Sequence, residues 1–145
     1  MLNGGPFCDQ GTFGIPFKHE FKLAGNLPLV YGVDIGAALQ SYTGLARVIT
    51  WTPATTVFPG GRTNSETIVL NKPGSLYYPR YNQLDMNVKK SFRSGQKTFT
   101  LQADFFNVLN SNAILTMNNA IGATLGQVNS IQLGRTPRLA FQMKF

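Results

Sequence analysis

The sequence predicts an all-β fold, a curved antiparallel up-and-down sheet of about five or six strands. Three observations predict it. Apolar and polar residues alternate in five separate segments, the segments are joined by short and long connections in turn, and the chain finishes inside such a segment. The last segment is the clearest. Leu139, Phe141, Met143 and Phe145 share one face, and Arg138, Ala140, Gln142 and Lys144 the other. Successive side chains of a strand point to opposite sides, so this is one apolar and one polar face. The final residues of a soluble domain usually fray. Here they keep a full amphipathic pattern up to an aromatic end.

The elements follow in order. Phe17–Leu23 places Phe17, His19, Phe21 and Leu23 against Lys18, Glu20 and Lys22. A helix would scatter those charges around its cylinder and leave no apolar stripe. Ala24–Gly32 reads as a short turn because Gly25, Asn26 and Pro28 break structure. Val33–Tyr42 alternates again, with Val33, Ile35, Ala37 and Leu39 on one side. Thr43–Gln83 is a long connection. Leu84–Phe92 is the third strand, with Lys90 as one violation on its apolar face. Arg93–Lys97 is a hairpin with Gly95 at its tip. Phe99–Phe105 is the fourth strand, and Phe106–Arg135 a second long connection whose Asn content favours loop over helix.

Composition narrows the class. Charged residues make up 13% of the 145 residues, against roughly 25% in soluble domains. The net charge is +7, but the cations are dispersed, with only Lys89 and Lys90 adjacent. No nucleic-acid partner is expected, because that needs a basic patch or stripe. Cys8 is the single cysteine, which rules out an internal disulfide and a cysteine metal site. The longest uncharged stretch, residues 105–134, is interrupted throughout by Asn, Gln and Gly, so no helix of about 20 apolar residues is expected. No secretory signal is visible at Met1, and the chain is expected to be the end of a longer one.

Alternation alone fits either a soluble sandwich or a membrane barrel. Lumen-like residues on the polar face favour the barrel: Asp85, Lys89, Gln102, Asp104, Gln142 and Lys144. So do aromatics near strand ends, with Tyr31, Phe92, Phe99 and Phe145 by the short turns and Tyr42, Tyr77, Tyr78 and Tyr81 by the long loops. Bacterial single-chain barrels close with eight or more strands. The chain is therefore expected to be an incomplete piece of a large transmembrane β-barrel.

Chemistry-bearing residues are few. His19 is the single histidine, and it is read as a rim or packing residue because a metal site needs partners. Asp104, Asn107 and Asn110 are read as a lumenal carboxylate followed by loop amides. Asp85 and Asp104 are read as part of a lumenal charge network with Lys89. Pro59-Gly60-Gly61-Arg62 is a turn, since a phosphate loop needs a different spacing. Tyr77, Tyr78, Arg80 and Tyr81 offer an aromatic-cation surface for loop contacts to a sugar, peptide or siderophore; the competing reading is a membrane-interface belt. No catalytic constellation, cofactor site or metal site is expected.

Several pieces carry a family resemblance: Phe7–Gln10, Pro16–Leu23, Tyr31–Val33, Val57–Arg62, the Gln83-Leu84-Asp85 strand within Tyr81–Phe92, Asp104–Asn112, and Gly134-Arg135 with the terminal strand. In that order they resemble the C-terminal end of the barrel of TonB-dependent receptors, closest to the Oar-like group with a carboxypeptidase-regulatory-like domain. The resemblance implies that residues 1–145 are the C-terminal part of one outer-membrane barrel domain, with the plug and most strands outside it. It implies import across the outer membrane, powered by an inner-membrane energy-coupling complex acting on the parent chain. Its other implied partners are outer-membrane lipid, the missing N-terminal strands and plug, and the barrel-assembly machinery. That machinery would read the terminal strand, Leu139, Phe141, Met143 and Phe145. The segment alone is not expected to transport. Two other classes remain open: a non-transport outer-membrane adhesion or structural barrel, and a secreted carbohydrate-binding β-sandwich.

Overall fold

A computed structural model of the chain describes residues 18–58, 60–61 and 64–145. Cys8, Phe17, Pro59 and Arg62 lie outside the described residues. The chain divides into two compact units.

The first unit comprises His19–Thr43, Arg80–Ala113 and Gln132–Phe145. It holds β1 (Phe21–Leu29), β2 (Val33–Tyr42), β5 (Tyr81–Ser94), β6 (Lys97–Phe106) and β9 (Thr136–Lys144). These form one five-stranded sheet in the order β1-β2-β5-β6-β9, with every neighbouring pair antiparallel. Each strand lies beside the next in chain order, so the sheet is an up-and-down meander. It is open: β1 and β9 form its two edges.

The second unit includes Gly44–Pro79 and Ile114–Ile131. It carries β3 (Thr50–Trp51) paired with β4 (Ile68–Val69), and β7 (Ile114–Met117) paired with β8 (Val128–Ile131). The two long connections thus build short β pairs of their own. Ala120 bridges Thr50, and Thr50 donates to the Asn119 carbonyl at 3.0 Å. The segment expected to be an Asn-rich loop therefore contains β7, because Ile114–Met117 finds a partner in a stretch more than ten residues downstream.

Strand positions agree with the sequence at β2 and differ elsewhere. The expected turn Ala24–Gly32 is mostly strand. β1 runs to Leu29, and only Val30-Tyr31-Gly32 turns, with Tyr31 at φ 62° and Gly32 at φ 72°. Pro28 lies inside β1, opposite Asp34 of β2. At its other end β1 begins at Phe21 rather than Phe17. β5 is longer than expected, at 14 residues. The β5–β6 hairpin turns on Gly95-Gln96, with Gly95 at φ 58°, the glycine-first form of a two-residue turn.

The register sorts the faces. Leu23 opposes Leu39, Leu39 opposes Leu84, Met86 opposes Phe105, and Leu101 opposes Phe141. All apolar sets therefore share one side. Nothing described covers that side: Leu139 is 79% exposed and Phe141 67%. The buried positions among the described residues are Gly36, Pro53, Asp104, Asn107, Ala113 and Gln132. None is a large apolar side chain, so the described residues form no apolar core of the kind a soluble domain has. A sandwich would have buried the leucine and phenylalanine face.

Candidate functional site

The other face of the sheet is the candidate site. On β5 it presents Tyr81, Gln83, Asp85, Asn87 and Lys89. Residues i and i+2 of a strand share a face and lie within reach of a long side chain, so the polar groups link along each strand. The Tyr81 hydroxyl donates to Gln83 Oε1. Gln83 Nε2 donates to both carboxylate oxygens of Asp85, at 2.8 and 2.7 Å. On β6, Gln102 Nε2 donates to Asp104 Oδ1 at 2.6 Å. On β2, the Tyr42 hydroxyl donates to Gln40 Oε1 at 2.8 Å.

Cross-strand contacts tie these rows together. Arg138 opposes Asp104 in the register. Its Nε and Nη2 both reach Asp104 Oδ2, at 2.9 Å each. Asp104 is only 5% exposed, and the arginine also lies 5.2 Å from the centre of the Phe106 ring. Lys89 opposes Asp34. Asp85 and Asp104 thus have separate donors, Gln83 and the Asn107 N–H for the first and Gln102 and Arg138 for the second. No group of three or more potential metal ligands occurs among the described residues.

A cavity of about 510 Å³ lies on this face, lined in part by Asn26, Gly36, Asp85, Asn87, Lys89 and Asp104. Gly36 makes room for the Asn87 side chain. A Cβ there would sit 2.5 Å from Asn87 Nδ2.

At the far end of β6 the chain is locked by two asparagines. Asn107 and Asn110 have φ 50° and 52°, a conformation Asn adopts more readily than other non-glycine residues. Asn107 is 2% exposed. Its amide nitrogen donates to the Ser111 and Leu133 carbonyls at 2.8 and 2.7 Å, its oxygen accepts from the Ser111 N–H at 3.0 Å, and its backbone N–H reaches Asp85 Oδ1 at 2.9 Å. Asn110 Oδ1 accepts from the Arg135 N–H at 3.1 Å, and Arg135 Nη2 donates to the Val108 carbonyl at 2.6 Å. This clasp joins the end of β6 to the approach of β9. Beside it, Gln132, 3% exposed, donates to the Asn82 carbonyl at 2.9 Å. Its sequence context gave no sign of that burial.

The four residues expected to form a loop contact surface divide between the units. Tyr77 bridges Ala46. The Tyr78 hydroxyl accepts from Asn119 Nδ2 at 2.8 Å and lies 3.3 Å from the Met117 N–H that donates to it. Arg80 donates through Nη1 and Nη2 to the His19 carbonyl, at 2.9 and 2.7 Å. Tyr81 faces its register partner Tyr42, with ring centres 6.0 Å apart. Those last two tyrosines correct the expected aromatic belt. They stand on the polar face with Gln40 and Gln83, because their parity is opposite to that of Leu39 and Leu84.

The family described as outer membrane beta barrel domain matches residues 35–140. The chain belongs to that family. Comparison with curated proteins and with solved structures found no match. An outer-membrane barrel domain has lipid on its outer surface, which assigns the bare apolar face of the sheet to lipid and the hydrogen-bonded face to the barrel interior. The protein is accordingly located in the outer membrane. Among the described residues no helix is long and apolar enough to cross a membrane. The terminal residues Leu139, Phe141 and Met143 sit on the lipid side of β9, with Phe145 continuing their row.

Proposed function

We propose that this barrel wall belongs to a TonB-dependent receptor that imports a ligand across the outer membrane. The sided sheet, a hydrogen-bonded polar face opposite a bare apolar one, supports the barrel wall on which this reading rests. Support comes also from the resemblance, whose Asp104–Asn112 segment coincides with the Asn107 clasp. The sheet is one stretch of the wall, and further strands and a plug from the parent chain complete the barrel. The two long connections face the outside, and Tyr77, Tyr78, Arg80 and Tyr81 are the residues offered for contact with the ligand. The terminal strand, through Leu139, Phe141, Met143 and Phe145, is the part offered to the barrel-assembly machinery. Ligand release into the periplasm draws on an inner-membrane energy-coupling complex. No catalytic role belongs to this chain.

Two measurements on the intact protein test the reading. In planar bilayers a plugged receptor is electrically silent, whereas an open pore conducts. In cells, a receptor cross-links to the inner-membrane energy-coupling protein. Silence together with a cross-link is the expected result. Steady conductance, or silence without any cross-link, would replace it with a passive or structural barrel.

A further inference from the structure

The lipid face of the sheet has an uneven charge distribution. Across all five strands, the ionisable side chains of that face are Lys90 and Lys97; Asp34, Asp85 and Asp104 all fall on the other side by register. Both lysines lie toward the short-turn end. Lys90 opposes Val33, the first residue after the β1–β2 turn. Lys97 opposes Ser94 and closes the β5–β6 turn.

Each ammonium is held beside an aromatic ring. Lys90 Nζ lies 5.3 Å from the Phe92 ring centre, and Lys97 Nζ 5.4 Å from that of Phe145. Lys90 also donates to the Tyr31 carbonyl in the neighbouring turn. Phe92 opposes Phe99, and Phe99 stacks on Phe141 with centres 6.3 Å apart. The stems therefore run over apolar surface while the charges sit at the turn rim, the arrangement of a cation reaching for a membrane interface. The exception that Lys90 makes to the strand pattern has a physical reason.

No strand carboxylate on this face neutralises the two charges. Anionic lipid at the rim would supply the opposing charge. We propose that the Lys90–Lys97 belt is a docking site for anionic glycerophospholipid headgroups. The phosphodiester oxygens accept from the two ammonium groups, and the Phe92, Phe99 and Phe141 rings pack against the upper acyl chains. A lipid whose headgroup lacks its own cation leaves its phosphate free for the lysines, so phosphatidylglycerol is preferred over phosphatidylethanolamine. This rests on membership in the barrel family and not on ligand import, so a failed import test would leave it standing.

The test uses the intact protein folded into vesicles that mix phosphatidylglycerol with phosphatidylethanolamine, followed by mass spectrometry of the lipids that remain bound. Phosphatidylglycerol is expected to be enriched over the bulk ratio, by roughly fivefold per lysine. Lys90→Gln with Lys97→Gln is expected to return the ratio to bulk, and Lys90→Arg with Lys97→Arg to keep the enrichment. Lys144→Gln removes the same charge from the polar face at the same rim and is expected to change nothing. Should the double glutamine variant fail to insert, Lys97→Gln alone is expected to lose part of the enrichment. No enrichment in the unaltered protein, an undiminished one in the glutamine variants, or an equal loss with Lys144→Gln would overturn the proposal.

Discussion

Asn107 combines two demands that seldom meet in one side chain. It holds a positive φ, and it bonds backbone groups on two other segments. The contributions can be separated. Asn107→Gly keeps the backbone geometry and loses the side-chain bonds, which costs about 1–3 kcal/mol for the buried groups left unpaired. Asn107→Ala adds the left-handed strain of roughly 1–2 kcal/mol. Denaturant unfolding of the refolded barrel in micelles should rank them unaltered, Gly, Ala in falling stability; equal values for Gly and Ala would show that strain is negligible there. Arg138 and Asp104 form a second residue-scale test. Arg138→Ala is expected to destabilise strongly, because it leaves a buried carboxylate without its cation. The same change in an Asp104→Asn background should cost clearly less, and equal costs in the two backgrounds would mean that the pair is uncoupled.

Strand β9 shows how a single element divides between two solvents. Leu139→Lys puts a charge on the lipid side farther from the turn rim, with a cost that reaches about 2–4 kcal/mol at the bilayer midplane. Ala140→Lys, one residue on, points to the interior and is expected to be tolerated. The fraction of each variant that reaches the heat-modifiable folded form in membranes measures the difference, and similar fractions would contradict the face assignment. In the second unit, Gly44 passes so close to Tyr78 that a Cβ would overlap its carbonyl oxygen and lie 2.7 Å from the Pro79 oxygen. Gly44→Ala must therefore push the backbone apart. Limited proteolysis should cut the Gly44–Pro79 stretch faster in that variant while the sheet's strands stay intact.

At the scale of the whole molecule the governing fact is the open sheet. A strand edge in hydrocarbon leaves backbone N–H and C=O groups unsatisfied at several kcal/mol each. The outer edges of β1 and β9 must therefore be paired in the membrane. Hydrogen exchange on the intact protein in bilayers should protect the amides of β1 and β9 as fully as those of β5. Fast exchange along either edge would mean that the barrel does not close through these strands.

The five strands of the main sheet, its two faces and the outer-membrane barrel class were legible in the chain, though not every strand boundary. Period-two alternation is a local property, and a one-residue error would turn every leucine inward. For that reason β2 was placed to the residue and the apolar row Leu84, Met86, Leu101, Phe141 and Met143 emerged intact. The Asn107 clasp was not legible, because its partners lie as far as 26 residues away. Nor was the order inside the long connections, where β7 exists only through its contact with β8. The tyrosines near the loops looked like a belt because aromatic content can be counted along a chain, while the side on which Tyr42 and Tyr81 stand depends on register. The sequence by itself determined which residues share a face, since alternate side chains of a strand have no choice of side. Only the tertiary structure decided which polar groups meet one another, since hydrogen bonds between strands depend on distances that chain order does not contain.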